Sequence, residues 1–272
     1  MKLKRAFLLA LAAGLAACAT VRTTQPGLVG VDREQTMIAS AASVNRQADE
    51  AYRQTLAQAR KDGRLNRDPA QVARVRAIAR RLIAVTGAFR ADAPAWPWEV
   101  NVLTSKDVNA WCMPGGKIAV YTGFIETIRP TDDELAAVIG HEIAHALREH
   151  GREKAGQAMG VGVAAAIGGA LIGARYGVGA DLGQDVLGTV GDLAFMRPNS
   201  RTMEQEADRI GVELAARAGY DPHAAVSLWE KMRKASSGTP PQWLSTHPSH
   251  EARIDDIKAS AERVASPVAP RR

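Results

Sequence analysis

The sequence predicts an α+β domain that is mostly helical, with a small β-sheet set beside one central helix. Three observations lead there. Apolar residues recur at three-to-four spacing in separate windows, at Val72, Val75, Ile78, Leu82 and Ile83 and again at Leu135, Val138, Ile139, Ile143 and Ala146, the period of a helix that buries one face. One region alone is strongly β-like, residues 100–103 and 118–121 with Pro114-Gly115-Gly116 as a turn between them. The composition, 46% hydrophobic and 24% charged over 272 residues, suits one folded core and argues against a disordered chain.

Taken in order, residues 1–17 have the form of an export signal. A basic start with Lys2, Lys4 and Arg5 leads into a short apolar run that ends in Leu15-Ala16-Ala17-Cys18. The run is shorter than the ~20 residues a membrane span needs. Small residues leading directly into a cysteine resemble a bacterial lipobox, which implies cleavage before Cys18 and lipidation of that residue. Ala19 then resembles an outer-membrane address, so the expected location is the outer membrane, facing the periplasm. Residues 18–30, with Pro26 and Gly27, read as a tether, residues 31–265 as the folded domain, and residues 266–272 as a disordered tail.

The formal charge of +6 is halved once Lys2, Lys4 and Arg5 are removed. No dense basic stripe with interleaved aromatics is present, which excludes nucleic acid as an expected partner. Cys112 is the other cysteine. With Cys18 acylated no intramolecular disulfide can form, and stability must come from the core or from a metal.

Within the domain, residues 32–60 are helical in pattern and Lys61-Asp62-Gly63 breaks them. Residues 69–85 form a second helix, with Pro69 at its start, and residues 94–97 a turn. Thr131 and Glu134 have the form of a capping box. The helix they open is expected to reach His150, with Gly151 as its stop. Residues 160–173 are rich in Gly and Ala and are interrupted by Arg175, so a buried helix fits better than a span. Residues 160–199 together read as a lid over a cleft. Further helices are expected over residues 200–218, 222–234 and 248–264.

The chemistry lies in the middle of the capped helix, at His141-Glu142-Ile143-Ala144-His145. Residues four apart leave the same helical face, so two imidazoles can grip one Zn²⁺ at about 2.0–2.1 Å each. Glu142, beside the first ligand, can take a proton from an activated water. A catalytic zinc needs a third protein ligand and an open position. The class that uses a third histidine would need Gly at position 148 and His at 151; the chain has Arg148 and Gly151. His150 falls one residue short and reads as a polar residue in the last helical turn, with support of a ligand from behind as the lesser alternative. Downstream, Glu204 and Asp208 are one turn apart on a shared face, while Glu206 points roughly the other way. Glu204 is therefore the expected third ligand, with Asp208 accepting the free N–H of a ligand histidine.

These stretches resemble the gluzincin family of zinc metallopeptidases, which includes the membrane protease HtpX, the barrel-assembly-enhancing protease BepA and the yeast prenyl-protein protease. The likeness is closest to the family's small outer-membrane lipoprotein peptidases. It extends to the segment from Asn109 and Ala110 to Pro114-Gly115-Gly116, to Ser200-Arg201 before Glu204, and to Thr246-His247-Pro248 with Arg253. The resemblance implies a gluzincin-type domain with one zinc per chain. It implies that Asn109, Ala110, Trp111, Gly115 and Gly116 hold an extended substrate peptide. It also implies that His247 and Arg253 stand near the open side of the metal, steadying the oxyanion, or that His247 takes the water's place at rest.

The expected activity is hydrolysis of peptide bonds in misfolded or misassembled envelope proteins. The partner classes are peptide substrates, a membrane held through Cys18, and envelope assembly machinery or a second copy of the chain. Two alternatives stay open: a zinc amidohydrolase acting on the cell wall, and an assembly chaperone or scaffold with a metal site.

Overall fold

The computed structural model describes residues 19–160, 198–235, 242–247 and 251–265. The expected signal peptide, Cys18, nearly all of the expected lid and the expected tail lie outside the described residues.

The architecture is α+β and mostly helical, as the sequence predicts. Helix α1 (Ala41–Lys61) is capped by Ser40, whose hydroxyl accepts the Ser43 N–H, and ends at Asp62 before Gly63, which has φ +64°. Helix α2 (Pro69–Ala84) is capped by Asp68, which accepts the N–H groups of Ala70 and Gln71. Its Val72, Val75, Ile78 and Leu82 are buried, as their spacing requires.

The N-terminal segment departs from expectation. Residues 18–30 were expected as a tether and residues 32–60 as one helix. Instead β1 (Ala19–Val21) pairs antiparallel with β2 (Gln35–Met37), and the helix starts only at Ala41. Gly27 and Gly30 sit at φ +62° and +72° and turn the chain back. The turn is fixed from outside, because the N–H groups of Leu28 and Val29 both donate to Glu213 Oε2, at 2.7 and 3.0 Å. Val29 and Val31 are buried in the main core. The segment's polar composition concealed two apolar anchors and a buried carboxylate partner far along the chain.

The main sheet has three strands. β3 (Glu99–Leu103) runs parallel to β5 (Lys117–Tyr121), and β4 (Ala110–Met113) runs antiparallel to β5 on its other side. The turn at Gly115 and Gly116, expected between the two predicted segments, belongs to the β4–β5 hairpin. Both glycines have positive φ, and a Cβ at Gly116 would lie 2.6 Å from the Trp98 ring.

Helix α3 (Thr122–Ile128) leads into α4 (Asp132–Leu147), which opens with the predicted capping box. Glu134 N–H donates to Thr131 Oγ1 at 3.2 Å, and Thr131 N–H donates to Glu134 Oε2 at 2.8 Å. Helix α4 is buried from Glu134 to its end and forms the axis of the fold. It stops at Leu147, short of His150. Glu149 adopts a left-handed conformation, φ +50°, and residues 150–160 (α5) form a new helix with Gly151 inside it. Helix α6 (Arg201–Arg217) packs across α4, and α7 (Ala224–Ala235), α8 (Gln242–Thr246) and α9 (Glu251–Ala265) complete the described residues. No described helix is long and apolar enough to cross a membrane.

Helices α4 and α6 touch backbone to backbone. A Cβ at Gly211 would lie 2.8 Å from His141 N and 2.9 Å from its Cα, and one at Gly140 would lie 2.9 Å from Gly211 O. A side chain at either position forces the helices apart. Gly211→Ala is expected to cost roughly 1–3 kcal/mol in urea-induced unfolding and to weaken metal binding in parallel. An unchanged midpoint would mean the crossing is looser than this geometry.

Candidate metal centre

Helix α4 presents His141 and His145 from one face, and their Nε2 atoms are 3.0 Å apart. Helix α6 brings in Glu204, with Oε1 3.4 Å from His145 Nε2 and Oε2 3.6 Å from His141 Nε2. From α8 and the chain after it comes His247, whose Nδ1 lies 3.2 Å from His141 Nε2 and 3.0 Å from Glu204 Oε1. The donor atoms of these four buried residues all lie within 4.8 Å of one another.

The donor set fits a zinc ion. Ligands at about 2.0–2.1 Å in a tetrahedral site stand roughly 3.4 Å apart, close to these spacings. The ring orientations suit a metal as well. His141 Nδ1 is 2.9 Å from Asp208 Oδ1, so the N–H sits there and the Nε2 lone pair faces the cluster. Burial, ahead of its other neighbours, pushes His145 well below the usual histidine range and keeps it neutral. For Glu204, burial alone would favour the neutral acid. The rings of His247, His145 and His141 around it outweigh that cost, and the carboxyl is held well below its ordinary value.

The expected residues are placed as follows. His141, His145 and Glu204 converge as predicted, and Asp208 holds His141. Glu142, also buried, accepts the indole N–H of Trp243 at Oε1, at 2.7 Å, and that same oxygen lies 3.4 Å from His247 Nε2. His247 occupies the fourth position of the cluster.

Arg253 is not on the open side. It is fully buried behind the ligands, with Nε and Nη2 donating to Asp208 at 2.7 and 2.8 Å and Nη1 2.8 Å from Glu204 Oε2. Those contacts commit it to the carboxylates, so the expected oxyanion role does not fit its position. Asn109, Ala110 and Trp111 lie at the start of β4, an edge of the three-stranded sheet, and Gly115 and Gly116 in its hairpin turn. Val108 O, just before β4, accepts the N–H of Trp243 at 3.1 Å and so ties this edge to the cluster.

Two residues escaped the sequence reading, and two more matter beyond the place it gave them. Trp243 and Asn199 carry no motif; Asn199 Nδ2 donates to Glu204 Oε1 at 2.7 Å. His150 and Glu206, read as peripheral, are buried and meet at 3.0 Å between Nε2 and Oε2.

With this geometry in hand, comparison with known proteins is decisive. Residues 69–261 match the model described as Peptidase family M48. The chain belongs to this family. Its M48 region is 37% identical over 167 residues to the mitochondrial metalloendopeptidase OMA1 of Bos taurus, covering 59% of this chain and 32% of that protein. It is 29% identical over 180 residues to the metalloprotease LoiP of Escherichia coli, covering 66% and 69%. It is 26% identical over 205 residues to the beta-barrel assembly-enhancing protease of the same organism, covering 72% and 40%. The chain thus spans about a third of the length of the bovine relative. M48 peptidases of this gluzincin type use zinc, and His141, His145, Glu204 and His247 form the group that can bind it.

Glu206 yields a pH prediction. Burial opposes its charge, but hydrogen bonds from His150 and Arg33 and the charge of Arg148 hold it at about 2, below the ordinary 4.5. A depressed carboxyl stabilises the fold above its unfolded value and loses that contribution as pH falls from about 4.5 towards 2. The stability gap between wild type and Glu206→Gln, followed by denaturant titration of the metal-free protein, should therefore narrow across that range. A gap independent of pH would show that Glu206 is not held as a carboxylate.

Proposed function

We propose that this chain is a zinc-dependent endopeptidase in which His141, His145 and Glu204 hold the metal and Glu142 is the general base. The placement of Glu142 carries the reading. It is a buried carboxylate beside a ligand, steadied at one oxygen by Trp243, and a purely structural metal site has no need of such a group. Bound zinc would supply a Lewis acid that acidifies a water and polarises the scissile carbonyl. Glu142 accepts the water's proton and returns it to the leaving amine. Trp243 fixes its Oε1 and leaves Oε2 for that transfer.

The edge of β4, with Asn109, Ala110 and Trp111 and the turn at Gly115 and Gly116, holds the substrate peptide extended by main-chain pairing. His247 takes the fourth position at rest and must swing away for a water to enter. In support, its Nδ1 is as near to His141 and Glu204 as the other ligands are to one another.

Export and attachment to the bacterial outer membrane through Cys18, facing the periplasm, rest on the Leu15-Ala16-Ala17-Cys18 sequence. The relative named beta-barrel assembly-enhancing protease supports misfolded or misassembled envelope proteins as substrates, with assembly machinery or a second copy of the chain as partners.

The test is casein cleavage by the form starting after Cys18, with zinc counted in the same sample. Glu142→Gln should lose cleavage by roughly 10²–10⁴-fold while keeping its zinc. Equal cleavage in the two would remove the general base, and a wild type without zinc would sink the whole reading. His247→Ala should cleave faster than wild type at saturating zinc while releasing the metal more readily to a chelator; slower cleavage would favour the oxyanion role.

A further inference from the structure

The two ligand histidines are held in different ways. His141 donates its Nδ1 hydrogen directly to Asp208. His145 has no carboxylate at that position; its Nδ1 meets His150 Nδ1 at 2.7 Å. Two facing ring nitrogens form a hydrogen bond only when one bears a hydrogen and the other a lone pair. Which is which is decided at the far side of His150. There Nε2 lies 3.0 Å from Glu206 Oε2, and a carboxylate can only accept.

Glu206 is kept a carboxylate by more than His150. Arg148 donates to Oε2 through Nε and Nη2, at 3.1 and 3.0 Å. Arg33, from the chain between β1 and β2, donates to Oε1 through Nε at 2.6 Å and to Oε2 through Nη2 at 3.1 Å. Arg33 and Gln35 also bind Glu153, which completes the surround. The hydrogen of His150 therefore sits on Nε2, its lone pair on Nδ1, and the hydrogen of His145 on Nδ1. The lone pair of His145 is left on Nε2, the atom 3.0 Å from His141 Nε2 in the metal cluster.

The backbone is arranged for this contact. Five residues along an unbroken helix, position 150 would stand about 140° round from position 145. The left-handed residue Glu149 breaks α4 and returns the chain so that His150 faces His145. Arg90 and Arg152 bind the Glu149 carboxylate, at 2.5 and 2.8 Å, and hold the break in place.

We propose that His150 and Glu206 are a positioning pair that locks His145 with its Nε2 lone pair towards the metal, so that zinc affinity depends on a histidine and a carboxylate that never touch the ion. The inference rests on the metal-centre reading above and adds a second carboxylate-to-histidine line to it.

Two measurements on the chain starting after Cys18 test it. The first is zinc affinity by chelator competition. His150→Leu, which keeps bulk and removes the acceptor, should weaken zinc by about 10–100-fold. His150→Asn, whose carbonyl can accept from His145 Nδ1, should recover to within a few-fold of wild type. The second is the ring tautomer in metal-free protein, read from long-range ¹H–¹⁵N spectra. His145 should carry its hydrogen on Nδ1 in wild type and His150→Asn, and shift towards Nε2 in His150→Leu. Wild-type affinity in a folded His150→Leu, or an unchanged His145 tautomer, would overturn the proposal. Equal loss in Leu and Asn would do the same, because it would mark His150 as packing alone. His141→Ala separates the two readings: if it binds zinc like wild type the metal centre itself is misplaced, whereas its loss beside an intact His150→Leu refutes the positioning pair only.

Discussion

The site depends on how closely two helices can approach. The proposed ligands His141, His145 and Glu204 come from α4 and α6, and side chains on separate helices share one ion only if the helices lie near one another. Gly140 and Gly211 permit that, with the carbonyl of Gly211 and the amide of His141 where Cβ atoms would otherwise stand. The usual 8–10 Å between helix axes is set by side chains at the contact, and removing them brings the backbones together. The crossing lies next to the first ligand, so a small widening there moves Glu204 and Asp208 away from both histidines at once. The glycines bear no donor side chain, yet they set how near the donors of the two helices can stand.

Close approach has an electrostatic consequence. Helix α6 buries Glu204, Glu206, Asp208 and Glu213, and α4 buries Glu142. Buried carboxylates are costly unless paired and hydrogen-bonded. The chain divides the task by position. Arg253 is committed to Asp208 and Glu204, Arg148 and Arg33 to Glu206, and Arg217 with the amides of Leu28 and Val29 to Glu213. What remains on the inner side is a close group of donor atoms from His141, His145, Glu204 and His247. A divalent cation is the group that completes it.

The parts legible in the sequence were those whose logic is local. Thr131 and Glu134 announce a helix start, and His141 with His145 share a face because they are four apart. Glu204 with Asp208 repeats that arithmetic on a second helix. The structure keeps each of these. The parts that were not legible depend on breaks or on distant chain. His150 reads as the last turn of α4, and no local rule says that a non-glycine residue, Glu149, will take a positive φ there. Glu206 was rightly placed on another face, but that face looked solvated because its partners, Arg33 and Arg148, lie 173 and 58 residues away. Trp243 is a lone aromatic in a short helix. Arg253 was expected beside the open side on resemblance; its bidentate grip on Asp208 puts it behind the ligands.

The N-terminal segment belongs to this logic too. Read as polar chain it is a spacer, but Arg33 and Gln35 enter the carboxylate cluster behind His145, and Leu28 and Val29 satisfy Glu213. Strand β1 begins at Ala19, the residue after the proposed lipid-bearing cysteine. If Cys18 carries a lipid, no free linker separates the membrane from the folded body, and the first ordered residues after the anchor lead within a few turns of chain to the support of a metal ligand. A peptidase held this way samples only substrates that reach the membrane surface. Its reach is then set by the size of the domain and not by the length of a flexible arm.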